Sequence, residues 1–147
     1  MENRFRLAFL SRPENVGLAR LAVAALAGQA AFTVNDLEEI KVAVSEAVTN
    51  AIVHGYGGRP DGWVEVEAWC DGETLGVAVA DHGRGIADIE AARRPAHSSD
   101  PERMGLGFLF MEAFMDRLEV ASRPGEGTRV TMEKAVSVAD SVDADAP

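Results

Sequence analysis

Hydrophobic and polar positions alternate at the start of this chain. Phe5, Leu7 and Phe9 take every second place, which predicts a strand with one face turned to a core. The period changes after Ser11-Arg12-Pro13-Glu14, where a serine cap, an early proline and a following glutamate form a helix-start pattern. Leu18, Leu21, Val23 and Leu26 then recur at helical intervals up to Gly28, predicting a first helix. Asn35 with Glu38 repeats the capping pattern ahead of a second helix with the stripe Leu37, Ile40, Val44, Val48 and Ala51. At about 100° per residue, Glu46 falls on the opposite side. That side also carries Val42, Ala43 and Val53. A helix apolar on two sides lies between layers. Glu46 and Asn50, one turn apart on one face, are therefore expected to look into a cleft.

The run Gly55-Tyr56-Gly57-Gly58-Arg59-Pro60-Asp61-Gly62 ends that helix. Trp63 to Cys70 and Thr74 to Ala80 alternate as strands, joined by the hairpin signal Asp71-Gly72 and closed by Asp81. Arg93 to Met104 has no period and reads as a mobile loop, and Phe108 to Met115 reads as a helix. Leu118 to Ala121 and Thr128 to Met132 read as strands around the turn Pro124-Gly125-Glu126-Gly127. Val136 to Pro147 carries aspartates without a base and is expected to be a disordered tail, leaving residues 1–135 as one domain. The economical arrangement is α/β: a two-layer α/β sandwich with a mixed, mainly antiparallel sheet and helices on one face.

Composition narrows the function. A chain of 147 residues, 47% hydrophobic, suits a single domain with a real core. The net charge of −10 argues against direct nucleic-acid binding. It does not exclude a nucleotide, since a few arginines and a metal reverse the local field. The single cysteine, Cys70, excludes an internal disulfide, fits a reducing compartment and reads as a packed strand residue. No apolar run approaches the roughly 18 residues of a membrane helix, and no signal peptide is evident, so a cytoplasmic location is expected.

Three signals carry chemistry. Glu46 facing a cleft can act as a general base, and the Asn50 amide oxygen can join an oxygen-seeking Mg²⁺ shell bridging phosphates. Asp81, in Asp81-His82-Gly83-Arg84-Gly85-Ile86, can accept from an exocyclic amine such as N6 of adenine, with Gly83 and Gly85 permitting close backbone approach. Gly105 and Gly107 precede the predicted helix, where free N–H groups favour phosphate oxygens. Arg93, Arg94 and Arg103 flank the preceding loop, and Thr128 is placed to orient a water or Asp81 from an adjacent strand. His54, His82 and His97 show no metal-ligand spacing.

In this order the signals resemble the GHKL ATPase superfamily, and within it the small anti-sigma serine kinases of the anti-sigma-F type. Glu39-Ile40-Lys41, Val44 through Ile52, His54-Gly55-Tyr56, Glu90-Ala91-Ala92-Arg93, and Met111-Glu112 with Phe114-Met115-Asp116 carry the resemblance, which extends from Phe5 to Lys134. It implies ATP/ADP and Mg²⁺ as cofactors, Glu46 as general base, Asn50 as Mg²⁺ ligand and Asp81 as the adenine-reading acid beside Gly83 and Gly85. It also implies Gly105 and Gly107 as phosphate-binding glycines, Thr128 as the threonine of the last motif, and Ala96 to Met104 as an ATP lid. That segment is about two residues shorter than the family form, with Ser98-Ser99 where threonines are usual, which bears on any phosphate contact by Arg103. The implied partners are a sigma factor, an anti-anti-sigma protein whose serine is phosphorylated, and a second copy of the chain, with Phe5, Leu7 and Phe9 on a dimerising strand and Arg20 available to an acidic partner. A stress-response relative, a sigma-binding module without kinase activity, and a histidine-phosphorylating domain are the alternatives. Glu46 favours an enzyme, and this sequence shows no dimerisation helix bearing a histidine.

Overall fold

The alternation seen at the N-terminus runs through the whole sheet. The computed structural model describes residues 2–94 and 101–137, with side chains of the second stretch from residue 104 onward. Five strands, β1 (Asn3–Leu10), β2 (Trp63–Cys70), β3 (Thr74–Asp81), β4 (Arg117–Arg123) and β5 (Gly127–Ala135), form one sheet in the order β1-β2-β3-β5-β4. The sheet expected to be mixed is antiparallel at every pairing among the described residues. The helices α1 (Asn15–Ala27), α2 (Val34–Asn50), the short α3 (Ile89–Ala92) and α4 (Pro101–Phe114) complete the two-layer α/β sandwich of the described residues.

Inward residues of the central strands, among them Val64, Val66, Val77, Val79, Val130 and Met132, meet the helices in one core. Helix α2 lies at its centre, between α1 and α4 and over β3. Its stripe Ile40, Val44 and Val48 is fully buried; of the second apolar side that the pattern predicts, Ala43 is buried with Ala47 beside it, whereas Val42 is half-buried and Val53 faces outward. The other sheet face carries charge: Glu67 accepts from Arg4 at 2.8 Å and lies 3.5 Å from Arg129. Arg4 lies 5.0 Å over the Trp69 ring, and Trp69 in turn covers Gly76. Cys70 is buried and free on the core side.

Local details differ from the sequence expectations where two residues could serve one role. Thr33, not Asn35, caps α2: its Oγ1 accepts from Asp36 N–H at 3.0 Å, and Asp36 accepts from Thr33 N–H at 3.1 Å. Ser11 is no helix cap. It is buried, donates to Arg59 O and accepts from Gly62 N–H at 3.0 Å, so it fastens the glycine-rich loop to the end of β1. Helix α1 buries Ala19, Val23, Leu26 and Ala27 and exposes Leu18 and Leu21. Both sets have helical spacing, and the alanines allow closer packing on α2. Val53 is likewise exposed. Strands β4 and β5 run past the predicted ends, and α4 begins at Pro101, inside the expected loop. Lys134 is buried, donates to Phe114 O at 2.6 Å and reaches Glu39 at 3.4 Å, which ties α4, α2 and β5 together with a cation at a helix C-terminus. Residues 138–147 of the expected tail lie outside the described residues.

Thr33→Ala is expected to lower unfolding free energy by about 1 kcal/mol, while Asn35→Ala, at an exposed position, leaves it within a few tenths. Urea unfolding of the two variants checks the assignment, and the reverse ranking would refute it.

Candidate functional site

Helix α2 does not stop at Asn50; it widens into a π-type turn over Ala51–Gly55. Tyr56 N–H reaches back to Ala51 O at 3.0 Å. Such a turn leaves carbonyls without regular partners, and π-turns recur at functional sites. Here the segment after β3 takes them. Arg84 N–H donates to Gly55 O at 2.9 Å, and Arg84 Nε donates to His54 O at 2.5 Å. Tyr56 Oη accepts from His82 N–H at 2.8 Å and donates to Trp63 O at 2.5 Å. The end of α2 and the loop after Asp81 are thus joined by side chain and backbone together.

Asp81 closes β3, opposite Val64 on β2 and Thr128 on β5. It is 6% exposed. The surrounding backbone comes too close for side chains. A Cβ on Gly55 would sit 2.7 Å from the Asp81 carboxyl carbon, one on Gly83 would meet Gly55 O at 1.9 Å, and one on Gly127 would meet Asp81 O at 2.1 Å. Gly85 combines a φ of 73° with an approach to Arg123 O that leaves no room for a Cβ, so only glycine serves there. Burial raises the Asp81 carboxyl above its ordinary pKa, and the amides of Gly83 and Thr128 pull it back in part. Gly83 N–H donates to Asp81 Oδ1 at 2.9 Å. The Thr128 hydroxyl pairs with Ser122 Oγ at 2.8 Å, and it is the Thr128 amide that bears on Asp81, from the adjacent strand as the sequence suggests. Ser122 also accepts from Ile86 N–H at 2.7 Å, which locks the Gly85-Ile86 segment to the β4–β5 hairpin.

Between these elements lies a cavity of about 480 Å³. One wall is apolar, with Val79, Val130, Ile86, Met104 and Phe108; Ala47, Ala51 and His54 come from the α2 end; Asp81, Asn50, Arg84, Asp88 and Thr128 supply polar groups. This is the size and mixture of a small-molecule pocket. Asn50 is 9% exposed, and its Nδ2 has no hydrogen-bond partner among the described residues. A half-turn of the amide would present its oxygen there instead. A buried amide with an unused end fits a ligand that brings the missing partner.

Of the residues singled out in the sequence, Asn50, Asp81, Gly85 and Thr128 line this cavity. Glu46 stands one turn before Asn50 on the same helix, against α4. Gly105 and Gly107 lie inside α4 rather than ahead of it, beyond the first turn where N–H groups are free. A Cβ on Gly107 would lie 3.0 Å from Glu46 Oε1 and 3.3 Å from Asn50 Oδ1, and one on Gly105 would meet Arg94 O at 2.1 Å. These glycines therefore let α4 approach α2 and the end of α3. Arg93 pairs with Glu112 on α4. The side chain of Arg103, and Ala96 to Asp100 with His97, lie outside the described residues. Sequence reasoning missed Arg84, His54 and the apolar wall. Small residues at Ala47 and Ala51, on the face that continues to His54, were the available signal: a helix face too small to fill a core faces a cavity. Among the described residues no cluster of His, Cys, Asp and Glu could hold a metal by itself, and no helix is long and apolar enough to cross a membrane.

Residues 9–134 match the family described as histidine kinase-like ATPase domain. The chain is 45% identical over 139 residues to the anti-sigma F factor of Clostridium beijerinckii, covering 93% of this chain and 97% of that protein. It is 44% identical over 136 residues to the anti-sigma F factor of Halalkalibacterium halodurans, covering 91% and 93%. Among solved structures, a blue-light activated histidine kinase of Erythrobacter litoralis is similar with a TM-score of 0.57 and 25% identity, over 88% of this chain and 43% of that one. The RsbU and RsbW domains of a Mycobacterium tuberculosis protein share the fold, with a TM-score of 0.58 at 18% identity over 91% and 33%.

A carboxyl whose pKa is raised by folding binds its proton more tightly in the native state. Its charge therefore weakens the fold as pH rises through the raised value, and the weakening is relieved in acid. Asp81→Asn, whose amide oxygen can still accept from Gly83 N–H, is expected to make the ligand-free protein more stable than the parent at pH 7, with the difference shrinking toward pH 4. Urea unfolding across that range checks it, and a constant difference would show that burial of the charge is not the cause.

Proposed function

The chain belongs to the anti-sigma F factor family of histidine kinase-like ATPase domains, and from that premise we propose that it is an ATP-dependent protein serine kinase that also holds a sigma factor away from RNA polymerase. The observation that supports this most is the pairing, in one cavity, of the buried Asp81 carboxylate with the Asn50 amide, whose Nδ2 has no hydrogen-bond partner among the described residues. Asp81 accepts from the exocyclic amine of adenine, and the apolar wall takes the flat ring. Asn50 would hold Mg²⁺ by its amide oxygen, together with phosphate oxygens. Mg²⁺ when bound neutralises charge on the phosphates.

Glu46, one helical turn from Asn50, is assigned as the general base that accepts the proton of the substrate serine, the substrate being a small anti-anti-sigma protein. Gly105, Gly107 and Arg103 are assigned to the phosphates, Thr128 to the base end beside Asp81, and Gly83 and Gly85 to the loop that brings backbone against the ring. With Gly107 packed on Glu46 and Asn50, phosphates can reach Asn50 only if the first turns of α4 shift or unwind. Glycines in a helix interior make that easier, by about 1 kcal/mol each relative to alanine. The same movement gives ADP and ATP different effects on the partner surface, which a nucleotide-dependent exchange of partners requires. The exposed side of α1, where Leu18 and Leu21 flank Arg20, is assigned to the sigma factor. The outer edge of β1, which among the described residues pairs only with β2, is assigned to a homodimer. Such partners place the protein in the cytoplasm.

The deciding experiment is transfer of labelled γ-phosphate from Mg²⁺-ATP to candidate anti-anti-sigma proteins of the same genome. Acid-stable label on one of them is expected, and Glu46→Gln should keep ATP binding while slowing transfer by roughly 10²- to 10⁴-fold. Acid-labile label would mean phosphohistidine. Binding without transfer would leave a nucleotide-gated sigma trap and remove the kinase. Hydrogen exchange gives an independent check on α4: amides of residues 104–108 are expected to exchange at different rates with and without Mg²⁺-ATP, and identical rates would refute the movement.

A further inference from the structure

Arg84 is unusual in this site because its backbone is held at several points while its charged end is not. Its N–H donates to Gly55 O at 2.9 Å, its carbonyl accepts from Gly125 N–H at 2.7 Å, and its Nε donates to His54 O at 2.5 Å. The glycines on either side, Gly83 and Gly85, have no room for a Cβ, so this short segment cannot swing. One edge of the guanidinium is thus used to close the carbonyls at the end of α2. Its two terminal amino groups make no hydrogen bond or ion pair among the described residues. The side chain is exposed and lines the cavity.

Its position along the site decides which part of a ligand it meets. Arg84 is bonded to His54, four residues beyond Asn50 and about one turn further along, within the widened segment Ala51–Gly55. It belongs to the same turn as Asp81. It therefore stands at the end of the cavity opposite to the Glu46–Asn50 pair. The carboxylates of Asp81 and Asp88 also line the cavity, and among the described residues Arg84 is the one lysine or arginine that does. A planar cation with its edge pinned, at the mouth of a cavity whose inner wall is apolar, is suited to lie on the face of an aromatic ring.

We infer that Arg84 is a specificity-determining residue of the nucleotide site, covering the outward face of the purine and acting on the base rather than on the phosphates. This rests on the nucleotide reading of the cavity. In that site Asp81 reads the edge of the base, and Arg84 closes over its face, so the ring lies between the cation and the apolar wall.

Calorimetric titration of the full chain with adenosine, ADP and Mg²⁺-ATP tests it. Arg84→Gln, which keeps a planar amide but loses the charge, is expected to weaken all three by a similar factor, roughly fivefold to thirtyfold. Arg84→Lys keeps the charge without the plane, and is expected to weaken adenosine by about threefold or more. Two results would overturn the inference. Unchanged adenosine binding with a loss that grows from ADP to ATP would make Arg84 a phosphate group. A lower melting temperature of the ligand-free variants, with all three affinities preserved in the folded protein, would leave it a helix-end clamp only. Should Arg84→Gln fail to fold, the adenosine affinity of Arg84→Lys decides alone, parental affinity overturning the inference. Failure of the parent protein to bind any of the three would instead overturn the nucleotide reading itself, and is distinguished by needing no variant.

Discussion

A carboxylate buried at the end of a central strand governs the geometry around it. Asp81 is held in a charged or chargeable form with little water, and the fold answers by bringing backbone amides against it. Gly83 N–H bonds it directly, Thr128 contributes an amide, and Gly55 and Gly127 approach where no side chain would fit. Burying such a group is costly unless it is hydrogen-bonded. A residue kept at that cost, on the wall of a cavity, is better explained by a ligand than by stability.

The other half of the site depends on α2. Because α2 lies between α1 and α4, Asn50 on its inner side cannot turn to bulk water, and its Nδ2 is left without a hydrogen-bond partner among the described residues. Widening the helix at Ala51–Gly55 then frees the His54 and Gly55 carbonyls, which the loop after Asp81 takes. The two signals, far apart in the chain, become one site through that pair of hydrogen bonds. The remaining wall comes from α4, whose interior glycines allow it to rest on Glu46 and Asn50. In this conformation the proposed base end is open and the proposed phosphate end is covered by α4, a division that fits the proposed reading of nucleotide state by moving one helix.

Much of this was legible in the chain. The alternation of Phe5, Leu7 and Phe9, the strands around Asp71-Gly72, and the buried stripe of α2 follow from period alone, since burial imposes 2.0 or about 3.6 residues on any apolar face. The residues Asn50, Asp81, Gly85 and Thr128, read from local motifs, do come together on one cavity. A motif is legible when its spacing is set by one helix or one turn, and these are.

Tertiary structure decided what local spacing leaves degenerate. Thr33 and Asn35 could each cap α2, and the entry angle of the chain chose Thr33. On α1 both Leu18-Leu21 and Ala19-Val23 have helical period, and close packing against α2 chose the smaller set. Gly105 and Gly107 read as a loop before a helix, yet they sit within α4 because contact with α2 and with the Arg94 backbone stabilises helix where propensity does not. Arg84 had no signal at all in one dimension: its partner carbonyls lie some thirty residues away, and only folding brings them within reach. The sequence by itself determined the family, the layers and the chemistry carried by each residue. Which faces are covered, and which donors are left over for a ligand, were decided by packing, because these depend on contacts between elements that no local period encodes.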